Sequence, residues 1–180
     1  MKLNIKLFSL FILLLASTFS FAQKKTPFQI NGELFEIPGK WEYKNQLKSS
    51  GQFHLSNKDE KINLLISVRK PEKFEFYKEG ITEKELLNAF YQWEYDYWAS
   101  SNGVKAEVSE VKRNEEKNYI IWKIIIKDKS QDVSKDLTSY LLYAVRNNNL
   151  ISFNLTNNTD KKNPLTETES VKLLEQTYLK

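Results

Sequence analysis

The order of periodicities along this chain predicts an α+β fold built on antiparallel strands. Short runs with strand-like alternation outnumber helical patterns, and only two segments carry the helical period. The strands also come in blocks, several before the first helix and four between the two helices, instead of alternating with helices as parallel sheets require.

Residues 23–26 read as a frayed start. Residues 28–30 and 33–37 flank Asn31-Gly32, a pair that tolerates positive φ and so marks a tight hairpin. Pro38-Gly39 stops the second strand, and Trp41-Glu42-Tyr43 opens a third. Residues 51–56 and 62–68 follow around a polar turn at 57–61. In the latter, Ile62, Leu64, Ile66 and Val68 fall on one face. A loop with Pro71 and Gly80 spans 69–81. Thr82 with Glu85 then forms a capping box for a helix that stops at Asn102-Gly103. Leu86, Phe90, Trp93 and Tyr97 make its main stripe, with Leu87, Tyr91 and Trp98 beside it. Residues 104–111 alternate weakly, as an edge strand does. Residues 119–126 (YIIWKIII) are apolar on both faces and predict a central strand. Strands at 139–146 and 150–156 meet at Asn147-Asn148-Asn149, a turn whose residues accept left-handed conformations. Leu165, Thr166 and Glu169 predict a capped last helix that buries Val171, Leu174 and Tyr178.

Residues 1–22 have the form of a cleavable export signal. Lys2 and Lys6 precede an apolar run at 7–16, and Ser20-Phe21-Ala22 places small residues where a signal peptidase reads. The run is shorter than the ~18 apolar residues of a membrane span. Cleavage between Ala22 and Gln23 leaves one α+β domain at 23–180, periplasmic or secreted, with no membrane anchor. With no cysteine in the chain, disulfides, thiol chemistry and a lipid-modified cysteine are excluded. Losing Lys2 and Lys6 halves the formal charge of +4. The remaining charges are interspersed, so neither nucleic acid nor an anionic membrane surface is an expected partner.

The phrase Phe35-Glu36-Ile37-Pro38-Gly39-Lys40-Trp41, the element order and the closing amphipathic helix resemble the PsbP-like family (the PsbP/DcrB-type fold) over about residues 28–180. The resemblance implies an α/β/α sandwich with about six to seven antiparallel strands between helices. The family shares no catalytic motif, so the resemblance carries no site residues over.

The chemistry-bearing residues are sparse. His54, the one histidine, alternates with Phe53 and Leu55, and is expected on the wetter face as a surface residue. Asp128, Asp132 and Asp136 lack the spacing and glycine of a calcium loop and read as a solvated hairpin. Glu94 with Asp96, and Glu115 with Glu116, are the carboxylate pairs a glycosidase would need, but each reads as surface charge; Glu94 is expected to lay its stem on the apolar rim with its carboxylate in water. No catalytic residue, metal or cofactor is expected. The aromatic residues Phe76, Tyr77, Tyr91, Tyr95 and Trp98 are the candidate interface, with Tyr95 the single best choice. Residue by residue, the core is the more expected place for these rings, covering the sheet and its edges.

The leading expectation is therefore an exported, non-enzymatic envelope protein acting through contacts with a protein partner, in the manner of an accessory factor. A periplasmic immunity protein against a secreted toxin is a close variant. A small apolar-ligand binder, with a pocket lined by Leu87, Tyr91 and Trp98, and a carboxylate-based hydrolase are the remaining alternatives.

Overall fold

Two tight turns set the architecture. Asn31 and Gly32 take φ of 48° and 86°, and Asn147 and Asn148 both take 53°. Positive φ at both central residues gives the backbone twist that matches two antiparallel strands. Ile30 accordingly pairs with Glu33, and Arg146 with Asn149.

A computed structural model describes residues 25–47, 51–58, 62–100, 106–127, 136–157 and 164–178. The expected export signal with its Ala22–Gln23 junction, the expected helix stop at 102–103, Asp128 and Asp132 lie outside the described residues. The elements are β1 (Lys25–Ile30), β2 (Glu33–Pro38), β3 (Glu42–Leu47), β4 (Gln52–Asn57), β5 (Ile62–Arg69), a 3-10 turn (Pro71–Lys73), α1 (Glu83–Ser100), β6 (Ala106–Asn114), β7 (Tyr119–Ile126), β8 (Leu137–Arg146), β9 (Asn149–Asn157) and α2 (Glu167–Tyr178). Strands β3 to β9 form one antiparallel sheet in the order β3-β4-β5-β9-β8-β7-β6, while β1 and β2 form a separate hairpin. The expected α+β class and strand number hold. The strand expected to be central, β7, lies one place in from the edge. Its two apolar faces are explained by the layers above and below it.

On one face, Tyr119 and Ile121 of β7 join Leu142 of β8, Phe153 of β9 and Ile66 of β5 in a core covered by the hairpin and α2. On the other, Ile120, Trp122 and Ile124 join Leu141 and Tyr143 beneath α1. Trp122 and Phe153 are fully buried, and large side chains of this kind each stabilise the fold by roughly 2–3 kcal/mol. The hairpin is held by side-chain hydrogen bonds as well as by packing. Asn31 Nδ2 donates to the Val68 carbonyl at 2.7 Å, and Thr26 Oγ1 donates to the Gly39 carbonyl at 2.7 Å. Phe35 meets Phe153 edge to face at 5.2 Å.

Both helices begin on the predicted capping boxes. Thr82 N–H donates to Glu85 Oε2 at 3.0 Å and Glu85 N–H returns to Thr82 Oγ1 at 3.3 Å. Thr166 and Glu169 repeat the pattern at 2.9 and 3.3 Å. On α2 the buried face is Ser170, Leu174, Thr177 and Tyr178, with Val171 only half-buried at its margin. The free edges of the sheet are blunted by charge and irregularity, since β3 and β6 both carry Lys and Glu and each has a register shift.

Candidate functional site

The predicted interface centres on α1, and its geometry follows from how that helix sits. α1 packs on β8 and β6, which turns Leu87, Phe90, Glu94 and Trp98, on successive turns, toward the sheet. Leu87 and Phe90 are buried. Tyr97, expected on the buried stripe, is 60 % exposed. The true buried axis runs between the two predicted aromatic stripes, with a carboxylate on it.

Glu94 therefore departs from expectation. Its carboxylate lies 3.6 Å from the Arg69 guanidinium, with both side chains largely buried. The Tyr143 hydroxyl and the Trp98 indole sit within hydrogen-bonding reach of it. Burial pushes the Glu94 carboxyl above its ordinary value, against the opposing charge of Arg69. The same burial, with Glu94 as neighbour, raises the Tyr143 hydroxyl well above its usual value. Arg69 also lies over the rings of Phe74 and Phe90, at 4.8 and 5.5 Å from their centres. The cluster ties β5, α1 and β8 together. No local signal announced it, because Arg69 and Glu94 belong to separate elements and meet only through tertiary packing.

The predicted aromatics divide into two groups. Phe76 is half-buried, stacked on Phe74 at 5.2 Å and 6.1 Å from Phe90. Tyr77 packs against the same core. These two close the loop onto the first turns of α1, helped by Trp93 Nε1 donating to Glu75 Oε1 at 2.8 Å. Tyr91 meets the buried Trp122 edge-on at 5.7 Å, with the Arg113 guanidinium 5.8 Å from its ring centre. Tyr95, itself half-buried, stands 6.0 Å from Tyr91. Trp98 is half-buried, and Tyr97 leans on it edge to face at 5.6 Å. Leu87, Tyr91 and Trp98 all pack into the core beneath α1. A cleft of about 290 Å³ opens on the opposite layer, beside α2.

The other chemistry-bearing residues are dispersed. His54 lies opposite Leu65 on β5, away from Phe53 and Leu55 as expected. Its ring is half-buried rather than on the surface, and its Nε2 is shielded from solvent without a hydrogen-bond partner. Asp96 is exposed and accepts from Gln92 Nε2 at 2.7 Å, Glu115 pairs with Lys84 at 2.7 Å, and Asp136 pairs with Lys127 at 3.1 Å. Among the described residues, no three acidic or histidine side chains gather where a metal ion could be held. Among the same residues, no helix is long and apolar enough to cross a membrane.

No family model and no curated protein sequence matches the chain. Its fold is similar to that of CyanoP, the cyanobacterial PsbP of Synechocystis sp. PCC 6803. The TM-score is 0.52 at 16% identity, covering 74% of this chain and 80% of that one. LpqN of Mycobacterium tuberculosis, involved in cell envelope biogenesis, is matched with a TM-score of 0.38 at 10% identity over 84% of each chain. The chain has the PsbP-like fold, as its element order and the Pro38-Gly39-Lys40-Trp41 phrase led one to expect.

Proposed function

We propose that the protein is exported to the cell envelope and works without catalysis, by gripping a partner protein with the outer aromatic flank of α1. The carrying observation is the group Tyr95, Tyr97 and Trp98 at the end of that helix, where Tyr97 keeps 60 % of its surface in water beside the half-buried Trp98. Aromatic rings give large contact area at little entropic cost, which makes them the usual anchors of protein interfaces. The leader-like residues 1–22 support export. The occupied state of the carboxylates supports a binding role, since Asp96, Glu94 and Glu115 each already engage a side chain of this chain.

A photo-crosslinking phenylalanine analogue placed at Tyr97 in cells tests this directly. One protein is expected to be captured in near-stoichiometric amount, on a product whose amino terminus is Gln23. Tyr95→Ala in the analogue-bearing protein should lower capture severalfold, and Tyr97→Ala in the otherwise native protein should lower co-purification of the same partner severalfold, both leaving the melting temperature within a few degrees. Capture that is equally efficient from an analogue placed at the exposed Leu34, or variants that melt early and capture normally, would overturn the proposal. The identity of the captured protein separates an accessory role from toxin neutralisation.

A further inference from the structure

The cleft beside α2 lies on the opposite layer from the proposed interface, and the residues that build it leave a recognisable chemical imprint. Its floor is the Trp41 indole and Ile62, both buried, and its walls are Leu165 and Leu173. Trp41 is fixed there, because its Nε1 donates to the Pro38 carbonyl at 2.8 Å and its backbone N–H donates to Thr26 Oγ1 at 3.2 Å. The Pro38–Trp41 turn is thus a preformed wall. At about 290 Å³ the cleft lies at the small end of the roughly 300–1,000 Å³ of ligand pockets, which suits a short-chain molecule.

The rim is set by one face of α2. Lys172 and Gln176, one helical turn apart, are both exposed and both border the cleft. Glu169 borders it too, but its carboxylate Oε2 is drawn to the helix cap, accepting from Thr166 N–H at 2.9 Å and Thr166 Oγ1 at 2.8 Å. An ammonium and an amide N–H₂ one helical turn apart on the same rim can offer donors to the two oxygens of one carboxylate. We infer that the cleft binds a small carboxylate amphiphile, an apolar body of about eight carbons on Trp41, Ile62 and Leu173 with its carboxylate held at Lys172 and Gln176. Apolar side chains with a few convergent polar groups, here Asn57, Glu169, Lys172 and Gln176, are the usual form of such sites.

Octanoate, octan-1-ol and octylammonium are matched probes that differ in head-group charge. Titration followed by NMR should show saturable octanoate shifts at the Trp41 indole N–H and at the Ile62 and Leu173 methyls, with octanol weaker and octylammonium weakest. Lys172→Gln should weaken octanoate roughly tenfold, the scale of one charge-assisted hydrogen bond, and leave octanol unchanged. Leu173→Glu, which puts an anion on the wall, should abolish octanoate binding. The inference fails if no saturable shift occurs at millimolar octanoate, if the shifts map to α1 instead, if octanol or octylammonium binds as tightly as octanoate, or if Lys172→Gln weakens all three probes equally. Because the α1 interface shares none of these residues, either proposal can fail without the other.

Discussion

Two buried carboxylates in this protein are shifted in opposite directions from their ordinary values, and the difference lies in whether hydrogen bonds and charge outweigh burial. Glu33 receives Arg146 Nη2 at 2.8 Å, Arg146 Nε at 3.0 Å, and the side-chain amides of Asn147 and Asn149 at 3.2 and 3.1 Å. Burial alone would raise its carboxyl, but the hydrogen bonds and the charge together outweigh burial and hold it below its ordinary value. At Glu94 the balance is reversed: Arg69 at 3.6 Å, Tyr143 and Trp98 all favour the ionised form, but burial outweighs them and leaves the carboxyl above its ordinary value. The pH dependences follow with opposite signs. Glu33 favours the folded state when ionised, so its contribution is full above the usual carboxylate value and is lost as pH falls through its lowered folded value. Glu94 favours the folded state when protonated, so its contribution is present below the usual value and is lost as pH rises through its raised one. Urea unfolding should find Glu33→Gln destabilised by roughly 3 kcal/mol at pH 7, because Arg146 is left half-paired, and much less near pH 3. Glu94→Gln, which mimics the protonated acid, should gain on the native protein as pH rises from about 4 to 7.

At the scale of elements, what is local in sequence is what could be read from it. The Asn31-Gly32 and Asn147-Asn148 turns and both capping boxes depend on residues within a few positions of one another. They stand where the sequence places them. Thr82→Ala and Thr166→Ala should each cost about 1 kcal/mol, measurable by thermal unfolding, and Thr→Ser at either site should recover most of it. The rotation of α1 was not legible. A charged residue such as Glu94 is normally excluded from a buried stripe, and the exception rests on Arg69, which closes a strand in another part of the chain. The placement of the candidate aromatic residues was legible in part, for the same reason. Phe76 is drawn to the core rim by Phe74 and Phe90, and Tyr77 packs against the same core, which the loop's own sequence does not announce. The cleft beside α2 joins the Pro38–Trp41 turn to Leu165 and Leu173, a meeting that only the folded chain displays.

For the whole molecule, one sheet serves two cores. Trp41 reports on the hairpin layer and Trp122 on the α1 layer, yet both layers are built on the same strands β7, β8 and β9. Losing either layer exposes the apolar side of the strands that the other needs, so the two should unfold together. Single-tryptophan variants retaining only Trp41 or only Trp122 should give fluorescence transitions that coincide with each other and with far-UV circular dichroism. Separated midpoints would mean that one layer can melt while the other stands.

The pairing of β5 with β9 joins the earliest strands of the large sheet to the last one made. A ribosome releases Ile62–Arg69 long before Asn149–Asn157, and throughout that interval β5 is an apolar strand with one edge unpaired. Such an edge invites association with any other extended chain. A growing or truncated chain lacking Asn149–Asn157 therefore stays adhesive even though most of its strands exist. Its safe passage depends on whatever shields that edge until Asn149–Asn157 is made and paired.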